Sequence, residues 1–114
     1  MRTVAGARRG LDLWLWQRAS AVVMALYLPA FALYAAIHAP LDYTAWRGLF
    51  DPLIVKLATL IFIAAALLHA WIGLREILID YVHVLGLRLA LYLAFGLLYA
   101  GCLLWAAAIL WGTA

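Results

Sequence analysis

His69 is the residue whose type and setting most demand a chemical explanation. It sits in the run Leu57 to Leu74, which carries no other ionisable group. An ionisable side chain deep in such a run marks a functional site by default, because leaving it unpartnered in hydrocarbon is costly. An imidazole there can hold a metal through one ring nitrogen, or it can hydrogen-bond a neighbouring helix. Ala65 and Ala66 lie one turn before it and Gly73 one turn after it. Small residues above and below a histidine leave a flat space beside the helix, which a porphyrin needs when an imidazole holds its iron. The same residues also permit close helix packing.

A haem b with two axial ligands needs a second donor on the opposite face of the ring. His38 is displaced from His69 along the membrane by about 20 Å, given a hydrocarbon core about 30 Å thick. His83 lies beyond the inner boundary. The second ligand is therefore expected from another chain, unless Met24 supplies it, and this chain is expected to need a partner. A second polar group follows: Arg75, Glu76, Asp80, Tyr81, His83 and Arg88. If the helix continues past Leu74, His69, Gly73, Glu76 and Asp80 share one face. Glu76 and Asp80 then repel unless an arginine neutralises them. This group could relay protons, and the phenol of Tyr81 could donate to a carbonyl oxygen; an interfacial tyrosine is also an ordinary membrane anchor. Arg18 offers a planar fork suited to a carboxylate such as a haem propionate, or else snorkels as a topology anchor. The single cysteine, Cys102, excludes an intrachain disulfide and any cysteine-rich metal site.

These residues must be positioned by membrane helices. Of 114 residues, 71% are hydrophobic and 11% charged, against about a quarter charged in a soluble domain. The length allows one domain and no separate soluble catalytic module. The net charge of +3 sits at the edges of apolar runs rather than in a basic stripe, which argues against nucleic acid. Three runs reach the ~20 residues that span a bilayer: about 18–38, 52–78 and 88–111. In lipid they must be helices. Pro29 is expected to kink the first span. Asp51 and Pro52 read as an N-cap followed by a first-turn proline. Trp46, Leu49 and Phe50 read as one face of a brief interfacial helix.

Six of the eight basic residues (Arg2, Arg8, Arg9, Arg18, Arg75, Arg88) lie on one side, and Arg47 and Lys56 lie on the other. That asymmetry predicts a cytoplasmic N-terminus and a periplasmic C-terminus. The arginine-rich start reads as a short cytoplasmic tail rather than a transit peptide. The chain is thus expected to be an all-α protein of three transmembrane helices in the bacterial inner membrane, a mitochondrial location being the less favoured alternative.

The run His69-Ala-Trp-Ile-Gly, with Asp80-Tyr81 eleven residues after the histidine and Leu87-Arg88 later, resembles the signature of the small hydrophobic anchor subunits of succinate dehydrogenase. Trp16-Gln17-Arg18-Ala19-Ser20-Ala21 and Tyr43-x-x-Trp46-x-Gly48-Leu49-Phe50 resemble that family's first span and outer loop. The resemblance covers nearly the whole chain in order. It implies that His69 supplies one axial ligand to haem b, with the other from a larger cytochrome b anchor subunit packed around the same haem. It implies that Tyr81 hydrogen-bonds ubiquinone, that Asp80 assists proton delivery, and that Arg18 lies near the quinone pocket and haem propionates. It implies flavoprotein and iron–sulfur partner subunits, which would pass electrons from succinate to ubiquinone. Many relatives carry a histidine shortly before the matching arginine; here the segment reads Leu13-Trp14-Leu15-Trp16. The anchor of a quinol:fumarate reductase is the alternative within the class. A haem-free membrane interaction or assembly protein is the alternative outside it.

Overall fold

The computed structural model describes the backbone of residues 2–112 and the side chains of residues 11–112. The described backbone holds four helices: α1 (Arg2–Ile37), α2 (Tyr43–Gly48), α3 (Leu53–Tyr81) and α4 (Leu85–Leu110). Among the described residues, three segments are long and apolar enough to cross a membrane: Leu11–Ile37, Leu53–Tyr81 and Leu85–Leu110. The chain is an all-helical, multi-pass membrane protein. The side chains of Arg2, Arg8 and Arg9 lie outside the described ones.

The helices overrun the spans read from hydropathy. A charge ends an apolar window, but it does not end a helix whose backbone bonds are satisfied internally. So α1 continues N-terminally past Arg18 and Asp12, through a segment expected to be a simple tail. In the same way α3 carries Arg75, Glu76, Asp80 and Tyr81 on its last turns, and only Val82–Val84 connect it to α4. α1 also runs on through Pro29. The N-cap of α3 is Pro52, without a side-chain cap, so Asp51 lies one residue too early for that role. The acid that does cap a helix is Asp42, whose side chain accepts from the Ala45 N–H at 2.8 Å and starts α2. α4 ends where Gly112 adopts φ 75°, a conformation open to glycine, and returns its N–H to the Ile109 carbonyl.

α3 is the middle element and packs against both α1 and α4. The α1 seam follows a strict three-four spacing: Leu13, Gln17, Ser20, Met24, Tyr27, Phe31 and Tyr34 are its buried or half-buried positions in heptad register. Three of them, Ser20, Tyr27 and Tyr34, are seven residues apart, and each makes a polar contact to another element. Ser20 meets His69 of α3. The Tyr27 hydroxyl meets Thr59 Oγ1 of α3 at 2.7 Å, and the Tyr34 hydroxyl donates to the Leu49 carbonyl at 2.8 Å. Among the described residues, Ser20 (3% exposed) and Thr59 (7%) are the buried polar ones, and both are partnered, as burial requires.

Aromatic rings close the α2 end of the seam. Tyr27 stacks on Phe62 with centroids 4.3 Å apart, and Phe31 stacks on Phe50 at 5.4 Å. Trp46 meets Phe31 edge-on at 5.9 Å, so it is a packing residue as well as an interfacial one. Each such pair contributes about 0.5–1.5 kcal/mol beyond its area. On the other side of α3, Trp71 faces Tyr92 and Tyr99 of α4, and its ring lies against Gly96. Tyr27→Phe keeps the stacking and removes the bond to Thr59. It should cost about 0.6 kcal/mol, the usual worth of an interhelical hydrogen bond in a membrane. Thermal unfolding of the detergent-solubilised protein measures this, and a loss of several kcal/mol would show that the ring had also moved.

Candidate functional site

The site is built where α1 and α3 cross near the end bearing the α3–α4 connection. His69 lies between Ala65 and Ile72 on one face of α3, both buried. That face turns its imidazole toward α1 rather than outward. Nδ1 lies 3.1 Å from Ser20 Oγ, and Nε2 lies 3.3 Å from the Gln17 side-chain nitrogen. Ser20 Oγ in turn donates to the Gln17 carbonyl at 2.8 Å, the usual back-bond of a serine within a helix. Gln17 Oε1 is buried and has no donor among the described residues. An acceptor left so costs on the order of 1–3 kcal/mol.

The surroundings differ in part from the flat space expected on both sides of His69. Ala65 is buried, so that side is closed. Gly73, one turn the other way, is open: a β-carbon built there would meet nothing within 4 Å. The room beside the imidazole lies toward the connection end. The other histidines are elsewhere. His38 lies at the far end of α1, bonding the Tyr34 carbonyl at 2.9 Å. His83 lies beyond the last turn of α3, and that turn already ends about 18 Å along the axis from His69 at 1.5 Å per residue. No side chain other than Gln17 and Ser20 hydrogen-bonds His69 among the described residues.

Arg18 shares the turn with Gln17, yet its guanidinium is exposed and rests over the Trp14 ring, 5.4 Å from its centroid. Trp14 stands in the segment where the family resemblance leaves a histidine missing. Asp80 and Tyr81 are exposed on the last turn of α3, and Tyr81 is 77% so. Glu76 and Asp80 form no ion pair with Arg75 or Arg88 among the described residues. The structure therefore joins His69 to Gln17 and Ser20, and holds Arg18, Asp80 and Tyr81 apart, facing outward at the same end. Gln17 and Ser20 are the site residues that motif reading missed. Their signal was the heptad seam of α1, which aims both at α3.

A slab of three apolar helices with a histidine held in its seam defines a polytopic membrane subunit of the anchor type. Residues 2–108 match the family described as succinate dehydrogenase/fumarate reductase transmembrane subunit. The chain is also 40% identical over 95 residues to the succinate dehydrogenase hydrophobic membrane anchor subunit of Coxiella burnetii, covering 83% of each chain. The protein belongs to the succinate dehydrogenase/fumarate reductase transmembrane subunit family and is a membrane anchor, not itself the catalytic chain.

Proposed function

We propose that this chain anchors a succinate dehydrogenase in the bacterial inner membrane, supplies one axial ligand to a haem b through His69, and contributes Tyr81 and Asp80 to a ubiquinone-reduction site. The observation that carries this reading is the imidazole turned into the α1–α3 seam with both nitrogens engaged, beside the bare surface of Gly73. The residues suit a haem. The contact to Nε2 is a long amide contact from a side chain whose own oxygen is buried unpaired, so a stronger partner for Nε2 is readily accommodated. When bound, haem b supplies one-electron redox chemistry.

The chain's own residues would do the following. His69 holds its ring at one height and orientation, with Ser20 fixing the ring's other edge. Tyr81 donates its phenolic hydrogen to a quinone carbonyl, a role that needs a separation of about 2.6–3.2 Å. Asp80, next to it and in contact with solvent, passes protons to a reaction that consumes two for each two electrons. Arg18 offers its guanidinium to a propionate or to the quinone pocket once it swings from Trp14. The exposure of Tyr81, Asp80 and Arg18 suits a site completed by another subunit. That subunit would be a larger cytochrome b anchor bringing the second ligand. Iron–sulfur and flavoprotein subunits would dock on the cytoplasmic face, where the N-terminus and the α3–α4 connection would lie.

One purification tests the reading. The tagged chain, isolated in mild detergent, should bring three further subunits and a b-type reduced-minus-oxidised spectrum. Recovery of the chain without them, or of the complex without haem absorbance, would overturn it. Succinate-driven quinone reduction faster than quinol-driven fumarate reduction would place it on the succinate-oxidising side of its family.

A further inference from the structure

We infer that Ser20 is a positioning residue that selects the Nδ1–H tautomer of His69 and so makes Nε2 the ligand atom. The inference rests on the haem-ligand reading of His69 and assigns a role to a first-span residue, Ser20, for which the family resemblance implied none. A serine hydroxyl has one hydrogen and can accept as well. Here the hydrogen is committed to the Gln17 carbonyl, 2.8 Å away within the same helix. Toward His69 the oxygen can then only accept, so Nδ1, at 3.1 Å, must carry the proton. A neutral imidazole protonated on Nδ1 keeps its lone pair on Nε2. The contact on Nε2 agrees, because the group facing it at 3.3 Å is an amide N–H₂, which can only donate.

Ser20 is suited to hold this choice. It is 3% exposed, so water does not compete for Nδ1, and its helix back-bond fixes the direction of its free lone pair. Gln17 is suited to yield. Its amide covers the nitrogen that would face iron, while its buried Oε1 has no donor to hold the side chain there. Accepting a hydrogen bond from Nδ1–H also makes the imidazole a stronger electron donor, as acceptors behind metal-bound histidines do. A stronger donor favours the oxidised iron, so Ser20 should lower the midpoint potential.

The test uses the assembled complex with Ser20→Ala, Ser20→Thr and His69→Ala, read by haem content and redox titration. Ser20→Ala should raise the midpoint potential or release haem, and Ser20→Thr, which restores the hydroxyl, should return both toward the parent. Full haem content with an unmoved or lowered potential in Ser20→Ala would overturn the inference. So would equal damage from Ser20→Thr, which would make Ser20 a matter of packing alone. Should Ser20→Ala fail to assemble, Ser20→Cys keeps the volume with a weaker acceptor and should give a smaller upward shift; no shift would count against the inference. Full haem retention in His69→Ala would sink the parent reading instead.

Discussion

Replacing His69 by alanine is expected to remove the b-type absorbance from the purified complex. The imidazole is the donor this chain brings to the α1–α3 seam, since His38 is bound at the far end of α1 and His83 lies beyond the end of α3. No nearby histidine can substitute. Mutating an outer-shell partner of a bound metal typically costs 10–100-fold in affinity; losing the ligand itself should exceed the upper end of that range. The Ser20 hydroxyl keeps its bond to the Gln17 carbonyl in this variant and loses only the group facing its lone pair, so the spectral loss should far outweigh any fall in thermal stability. His69→Ala with full haem occupancy would show that another residue holds the iron.

Tyr81→Phe is expected to leave the haem spectrum intact and to slow succinate-driven quinone reduction by on the order of 10²-fold, the usual cost of removing one donor aimed at a reacting oxygen. The structure makes this variant easy to interpret. Tyr81 is 77% exposed and sits on the last turn of α3. Substitutions at such surface positions change stability by about 0.5 kcal/mol or less. A kinetic loss would therefore report the missing hydroxyl rather than a rearranged helix. Steady-state turnover with a soluble quinone analogue measures it, and parent-like rates would reduce Tyr81 to an interfacial aromatic.

Much of the architecture was legible without coordinates. Three apolar runs, the prolines between them and the mixed loop around Trp46 give the helices in order, because lipid leaves the backbone few alternatives. The ends were not legible. The spans read from hydropathy begin at Arg18 and stop near Leu78, whereas helical bonding stops only where the backbone turns, so α1 and α3 came out longer. Asp51 had the composition of a cap but fell one residue from the cap position. His69 stood out because an imidazole in an apolar run is rare. Its partners did not, since Ser20 and Gln17 lie 49 and 52 residues away in sequence and a serine inside a helix looks neutral. Orienting α1 shows them, and the heptad of Ser20, Tyr27 and Tyr34 gives that orientation. Ala65 was expected to leave room and does not, because the neighbouring surface closes over it. Which helix face meets which is a property of the pair, not of either segment.

The seven-residue spacing of Ser20, Tyr27 and Tyr34 works like the teeth of a key. Each tooth fits a notch of fixed chemistry, and the teeth stand about 10.5 Å apart at 1.5 Å per residue. Sliding α1 by one turn would pull all three out at once and present polar groups to hydrocarbon. Piston-like travel of α1 along α3 is therefore closed to this protein. Under the proposed function, any movement that accompanies electron transfer is left to side chains such as Gln17 and Arg18, with the imidazole staying at a constant depth.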